Sequence, residues 1–127
     1  MNMPQMDAST FARPYVVSWN LTYRCNLACE HCYLDAGGTP QVGTENFADR
    51  SELGTEECFK VIDEIAAFAP ECVTILTGGE PLLRKDIWEI AGYAAEKRFT
   101  TVLGTNGVLL REREAKAMRT HGVLGAF

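Results

Sequence analysis

Hydrophobic and polar positions switch between two periods along this chain. Residues 15–21, Tyr-Val-Val-Ser-Trp-Asn-Leu, are rich in β-branched and aromatic side chains and predict a strand. From Thr55 onward the spacing changes: Phe59, Ile62, Ile65, Ala66 and Ala69 recur at helical intervals. Thr55 is expected as the N-cap, Glu56 and Glu57 suit the positive end of the helix dipole, and Pro70 ends the helix. Val73 to Leu76 predicts a second strand. Ile87, Ile90, Ala91 and Ala94 mark a second helix over 86–97. A third strand is expected at 101–103, a third helix at 111–120 with Gly122 as its stop, and the start of a fourth strand at 123–127. Trp19 and Trp88 are expected as core or half-buried packing residues, and His121 as a capping or surface residue.

Strands alternating with amphipathic helices predict an α/β fold with parallel pairing and right-handed crossovers. About three and a half βα units are present. They cannot close a barrel, and the last strand falls at the end of the sequence, so a piece of a longer protein is expected. A small doubly wound domain is the alternative. Residues 1–14 read as a leader, residues 15–127 as the N-terminal part of a core domain, and the glycine-bearing stretch 35–53 as a loop.

The balance of 12 Lys and Arg against 17 Asp and Glu gives a net charge of −5, interspersed without long runs. That argues against a nucleic-acid partner, which would usually want a basic face. No apolar run approaches the roughly 20 residues needed to cross a bilayer, and residues 1–13 lack the apolar core of a signal peptide. No membrane partner is expected, and a cytoplasmic location is the default. Three of the five cysteines crowd into 25–32, which in a reducing compartment reads as metal or redox chemistry before a disulfide framework.

Three unusual segments each follow a predicted strand, and in parallel α/β folds sites lie at the carboxyl ends of strands. The first is Cys25-x3-Cys29-x2-Cys32. Thiolates are natural iron–sulfur ligands, and three of them leave one iron of a cluster open. A zinc site with His31 as fourth ligand, or a thioredoxin-like pair of Cys29 and Cys32, are the competing readings. Cys58 and Cys72 fall in a helix pattern and at a strand start, and are expected as buried apolar thiols. The second segment is Gly78-Gly79-Glu80-Pro81. Its glycines permit close approach of a ligand to the backbone, and Glu80 offers a carboxylate to a ligand ammonium group. An ordinary turn with a surface glutamate is the alternative. The third segment, Gly104-Thr105-Asn106-Gly107, either hydrogen-bonds a ligand or makes a tight Asn-Gly turn.

Taken together, these segments resemble the radical SAM superfamily over residues 15–127. The resemblance implies a partial (β/α) barrel of the radical SAM type. It implies a [4Fe–4S] cluster on Cys25, Cys29 and Cys32, with S-adenosylmethionine (SAM) chelating the open iron. Gly78, Gly79 and Glu80 then hold the SAM amino group, His31 and Tyr33 lie near the adenine, and Thr105 and Asn106 face the SAM pocket. The implied activity is reductive cleavage of SAM to methionine and a 5′-deoxyadenosyl radical that takes hydrogen from a substrate. Residues 19–27, the Thr-Gly-Gly-Glu-Pro-Leu-Leu run and residues 104–107 look like the SPASM or twitch branch. Within it, the chain is similar to members acting on tetrapyrroles in haem or haem d1 biosynthesis and to members maturing peptides or peptide-derived cofactors. A small-molecule or peptide substrate and a reductant such as flavodoxin or ferredoxin are the implied partners. The family's barrel has six βα units, so the chain alone is expected to be inactive. A non-catalytic iron–sulfur or zinc module is the alternative function.

Overall fold

A computed structural model describes residues 14–27 and 52–127. Within them, β1 (Val16–Asn20), β2 (Val73–Thr77), β3 (Thr100–Leu103) and β4 (Val123–Ala126) form one sheet in the order β1-β2-β3-β4. All pairings are parallel. Val16 stands opposite Val73 and Val73 opposite Thr100, with an irregularity at Thr101/Val102 where β4 joins. Between the strands run α1 (Thr55–Phe68), α2 (Ile87–Glu96) and α3 (Glu112–Thr120), with a short 3-10 turn at Pro81–Leu83. The predicted β-α-β-α-β-α-β order is therefore the observed one. A doubly wound sheet reverses its strand order at a switch point. Here the strands run 1-2-3-4 without reversal, which is the wind of a partial β/α barrel. Among the described residues, no helix is long and apolar enough to cross a membrane.

The core lies between the sheet and the helices. Cys58, Ile62 and Ile65 of α1 and Ile87, Ile90, Ala91 and Ala94 of α2 are buried with Leu76 and Leu103. The predicted apolar stripes are thus the faces that pack. Phe59 sits half-buried at the edge of this seam and stacks on Tyr93 with ring centroids 4.2 Å apart. Trp19 and Trp88 are partly buried against the core, as expected. His121 closes α3: its Nδ1 lies 2.8 Å from the Ala117 carbonyl, and its ring faces Trp88 at 5.9 Å.

The N-cap of α1 differs from the sequence reading. Thr55 is the first helical residue of α1 and Gly54 is its N-cap. The Gly54 N–H donates to Glu57 Oε2 at 2.8 Å, so the acidic first turn satisfies the helix start. Thr55 is drawn away because its hydroxyl donates to Asp86 Oδ2 at 2.7 Å, a tertiary contact that local spacing does not encode.

At the amino ends of the strands the chain turns tightly. Glu71 (φ 61°) and Arg98 (φ 67°) occupy the left-handed region just before β2 and β3, and Gly122 (φ 74°) does so before β4. The buried Cys72 and Phe99 follow the first two turns and seat each strand in the core.

Candidate active site

The carboxyl ends of β1, β2 and β3 meet, and the order in which they interlock is set by backbone. Beyond β1, the Leu21 N–H still donates to the Thr77 carbonyl at 2.9 Å. The ladder then continues past both strands: Gly79 N–H donates to Thr22 O and Glu80 N–H to Arg24 O, each at 2.7 Å. This approach leaves no room for side chains. A Cβ on Gly78 (φ +140°) would stand 2.4 Å from Thr22 O, and one on Gly79 would stand 2.2 Å from Arg24 O. The glycines permit a close approach, as the sequence suggested. What approaches is the chain's own Thr22–Arg24 backbone, the three residues leading into Cys25.

Glu80 is fully buried (0% exposed). Its carboxylate accepts from the Leu82 N–H (3.0 Å), the Asn106 N–H (2.8 Å) and the Thr105 hydroxyl, which reaches both oxygens at 2.8 and 2.9 Å. Three donors occupy most of the roughly four acceptor positions of a carboxylate. Glu80 therefore ties the turn after β2 to the turn after β3. The Thr105 hydroxyl also accepts from Gly107 N–H at 3.1 Å, so this side chain is fully engaged inside the turn.

Asn106 carries the connection on to β1. Its Oδ1 accepts from Val108 N–H at 3.0 Å, while its Nδ2 donates to Asn26 Oδ1 at 2.8 Å and lies 3.7 Å from Cys25 Sγ. Cys25 is a free, half-buried thiol. A thiol at a strand's carboxyl end, beside an amide donor that can stabilise a thiolate, suits a cluster ligand. The structure thus brings together Cys25, Gly78, Gly79, Glu80, Thr105 and Asn106. Cys29, Cys32, His31 and Tyr33 lie outside the described residues.

A second buried charge fixes the base of the cysteine segment. Arg84 donates through Nη1 to Leu21 O and through Nη2 to Leu53 O, each at 2.9 Å. Its Nε and Nη2 hold Asp86 at 2.8 and 2.7 Å. One guanidinium therefore grips the chain just before and just after the stretch bearing the cysteines. Glu52 adds to the grip: it accepts from the Thr22 hydroxyl, from Tyr23 N–H at 3.2 Å and from Arg24 at 3.5 Å. The Arg84 hydrogen bond holds the Asp86 carboxyl below the usual carboxylate range. Sequence reasoning missed Arg84, Asp86 and Glu52 because charges in loops read as solvated. The available signal was an Arg-x-Asp pair directly before an apolar helix stripe.

Cys58 and Cys72 are buried, and burial pushes both thiols up, so each stays protonated and inert. This agrees with their expected role as packing residues.

A parallel β/α half-wind whose polar groups converge at the carboxyl ends of its strands defines a partial β/α-barrel domain. The sequence pattern of the radical SAM superfamily matches residues 19–126, and the chain belongs to that superfamily, whose cofactors are a [4Fe–4S] cluster and SAM. The chain is 42% identical over 108 residues to the Fe-coproporphyrin III synthase of Methanosarcina barkeri, covering 85% of this chain and 25% of that protein. It is 38% identical over 110 residues to an AdoMet-dependent heme synthase of the same organism, covering 87% and 29%. The mycofactocin maturase MftC of Mycolicibacterium smegmatis is 39% identical over 95 residues, covering 75% and 22%. The chain thus spans between about a fifth and a third of the length of these relatives. Among solved structures, BtrN in complex with AdoMet and 2-DOIA superposes with a TM-score of 0.70 at 18% identity, covering 89% of this chain and 44% of that one. Streptococcus suis SuiB bound to S-adenosylmethionine gives 0.65 at 18%, covering 84% and 23%. At these identities the structures speak for the fold.

Proposed function

We propose that the full-length protein is a radical SAM enzyme whose cluster is held by Cys25, Cys29 and Cys32 and whose substrate is a tetrapyrrole of the haem type. The observation that carries this reading is the meeting of three strand ends, with Cys25 reached by Asn106 and Asn106 held by Glu80. The identity to tetrapyrrole enzymes supports the substrate class. A peptide undergoing maturation is the second reading, favoured by the identity to MftC. A flavodoxin or ferredoxin supplies the electron. In this reading residues 15–127 are the N-terminal part of the core domain and residues 1–14 a leader.

The bound cofactors supply one-electron reductive cleavage of SAM. The chain's own residues prepare the place for it. Arg84 and Glu52 tie together the two ends of the longer stretch, 21–53, that carries the cysteines. Gly78 and Gly79 seat its first residues against the turn after β2, and Glu80 locks that turn to Thr105 and Asn106. Gly78, Gly79 and Glu80 then meet the SAM amino group through the backbone of their turn, since the Glu80 carboxylate is spent on Thr105 and Asn106; Thr105 and Asn106 border the SAM pocket, and His31 and Tyr33 stand near the adenine.

The test is anaerobic iron and sulfide reconstitution of the full-length protein, followed by analysis of methionine and 5′-deoxyadenosine formed from SAM under a strong reductant. Iron and sulfide in the ratio of cubane clusters and SAM cleavage are expected, and C25A, C29A or C32A is expected to abolish SAM cleavage and to lower the iron content by one cluster's worth. A zinc-loaded protein that takes up no cluster and leaves SAM intact would overturn the reading. Faster SAM cleavage with a tetrapyrrole than with a peptide supports the first substrate class, and the reverse favours the second.

A further inference from the structure

We propose that Asn106 is a positioning residue for the cluster. Its carboxamide N–H donates to the sulfur of Cys25, fixes that sulfur's orientation and raises the cluster's reduction potential. This rests on the reading of Cys25 as a cluster ligand.

The orientation of the carboxamide is set by its surroundings. Oδ1 accepts from Val108 N–H at 3.0 Å, a donor-only backbone group, so the oxygen must point there. Nδ2 is then the end that faces Asn26 Oδ1 at 2.8 Å and Cys25 Sγ at 3.7 Å. An amide NH2 has two hydrogens, one for each of these acceptors. Asn106 cannot swing away freely, because its own backbone N–H is tied to the fully buried Glu80 at 2.8 Å. The neighbouring Thr105 offers no such donor, since its hydroxyl is spent on Glu80. Thus the only side-chain hydrogen bond to Cys25 among the described residues comes from a group fixed at three atoms.

A donor beside a ligating thiolate changes the cluster's electronics. One-electron reduction adds negative charge that spreads onto the sulfurs, and an N–H dipole aimed at a sulfur stabilises the reduced form more than the oxidised form. Removing the donor lowers the potential. Replacing it with a carboxylate lowers the potential further.

The test is an EPR-monitored redox titration of the reconstituted full-length protein as wild type, N106L and N106D. The Asp variant keeps the oxygen that accepts from Val108 N–H, so the turn survives in it even if the Leu variant does not fold. The expected midpoints of the SAM-responsive cluster fall in the order wild type, then N106L, then N106D. A fully loaded N106D with an unchanged or raised midpoint overturns the role of Asn106 and leaves the cluster reading standing. Failure of the wild type to hold any iron–sulfur cluster overturns both.

Discussion

Glu71 and Arg98, at the amino ends of β2 and β3, sit in left-handed backbone on the surface, joined by an exposed ion pair of 3.6 Å. Glu80 and Arg84, just past the carboxyl end of β2, are buried, and their hydrogen bonds run to residues just past β1 and β3 (Leu21, Thr105) and just ahead of α1 and α2 (Leu53, Asp86). The same sheet thus spends charge in two ways. At one end it decorates turns that only have to reverse the chain. At the other it holds three loops in one arrangement. Barrel enzymes divide stability and chemistry between their ends in this sense, and here the division is already visible in which charges are buried.

Substitutions should expose the asymmetry, beginning with Arg84. Its replacement by Met leaves Asp86 and the Leu21 and Leu53 carbonyls without their donor, and removing one partner of a buried pair costs about 3–5 kcal/mol. Urea unfolding of R84M should show that loss, and a loss below about 1 kcal/mol would mean that the grip is dispensable. Glu80→Gln is milder. It places an NH2 group against an array of donors, at a cost of about 1–3 kcal/mol for the unmet hydrogen bonds. Amide exchange at Leu82 and Asn106 should accelerate with it.

Acid should act through Asp86. Its folded pKa is lowered by Arg84, so its stabilisation is present above the unfolded value, near about 4, and disappears as pH falls through the lower folded value. Melting curves of wild type and D86N should differ at neutral pH and converge below about pH 4. The smallest effect belongs to the other end of the sheet. Arg98→Gly relieves left-handed strain of about 1–2 kcal/mol against a glycine entropy cost of about 0.5–1, for a net gain between about 0 and 1.5 kcal/mol. Losing its exposed ion pair with Glu71 should change little. A loss as large as that of R84M would erase the distinction between the two ends.

Much of the fold was legible because the strands and helices are short and cleanly patterned. Val73 to Leu76 and the Ile87, Ile90, Ala91, Ala94 stripe carry their own assignment, and alternation implies parallel pairing. The convergence of Cys25 with the Gly-Gly-Glu-Pro and Thr-Asn-Gly segments also followed from element order alone. What local spacing could not carry was partnership at a distance. Thr55 turns from its own helix to Asp86, 31 residues away. Arg84 reaches Leu21, 63 residues back. Glu80 looked like a carboxylate open to a ligand, yet its oxygens serve Thr105 and Asn106, 25 and 26 residues on. A single stretch of sequence offers at most a local hint of a buried charge, such as the Arg-x-Asp pair at 84–86, until the distant partner is placed beside it.

The central claim is that Cys25 belongs to a cluster with an iron open to SAM. EPR of the reconstituted full-length protein, reduced with dithionite and recorded with and without SAM, tests it most directly. A reduced [4Fe–4S] signal that changes when SAM is added is expected, and that SAM-responsive signal is expected to vanish in C29A. No signal that responds to SAM, or a SAM-responsive signal that persists in C29A, would contradict the claim.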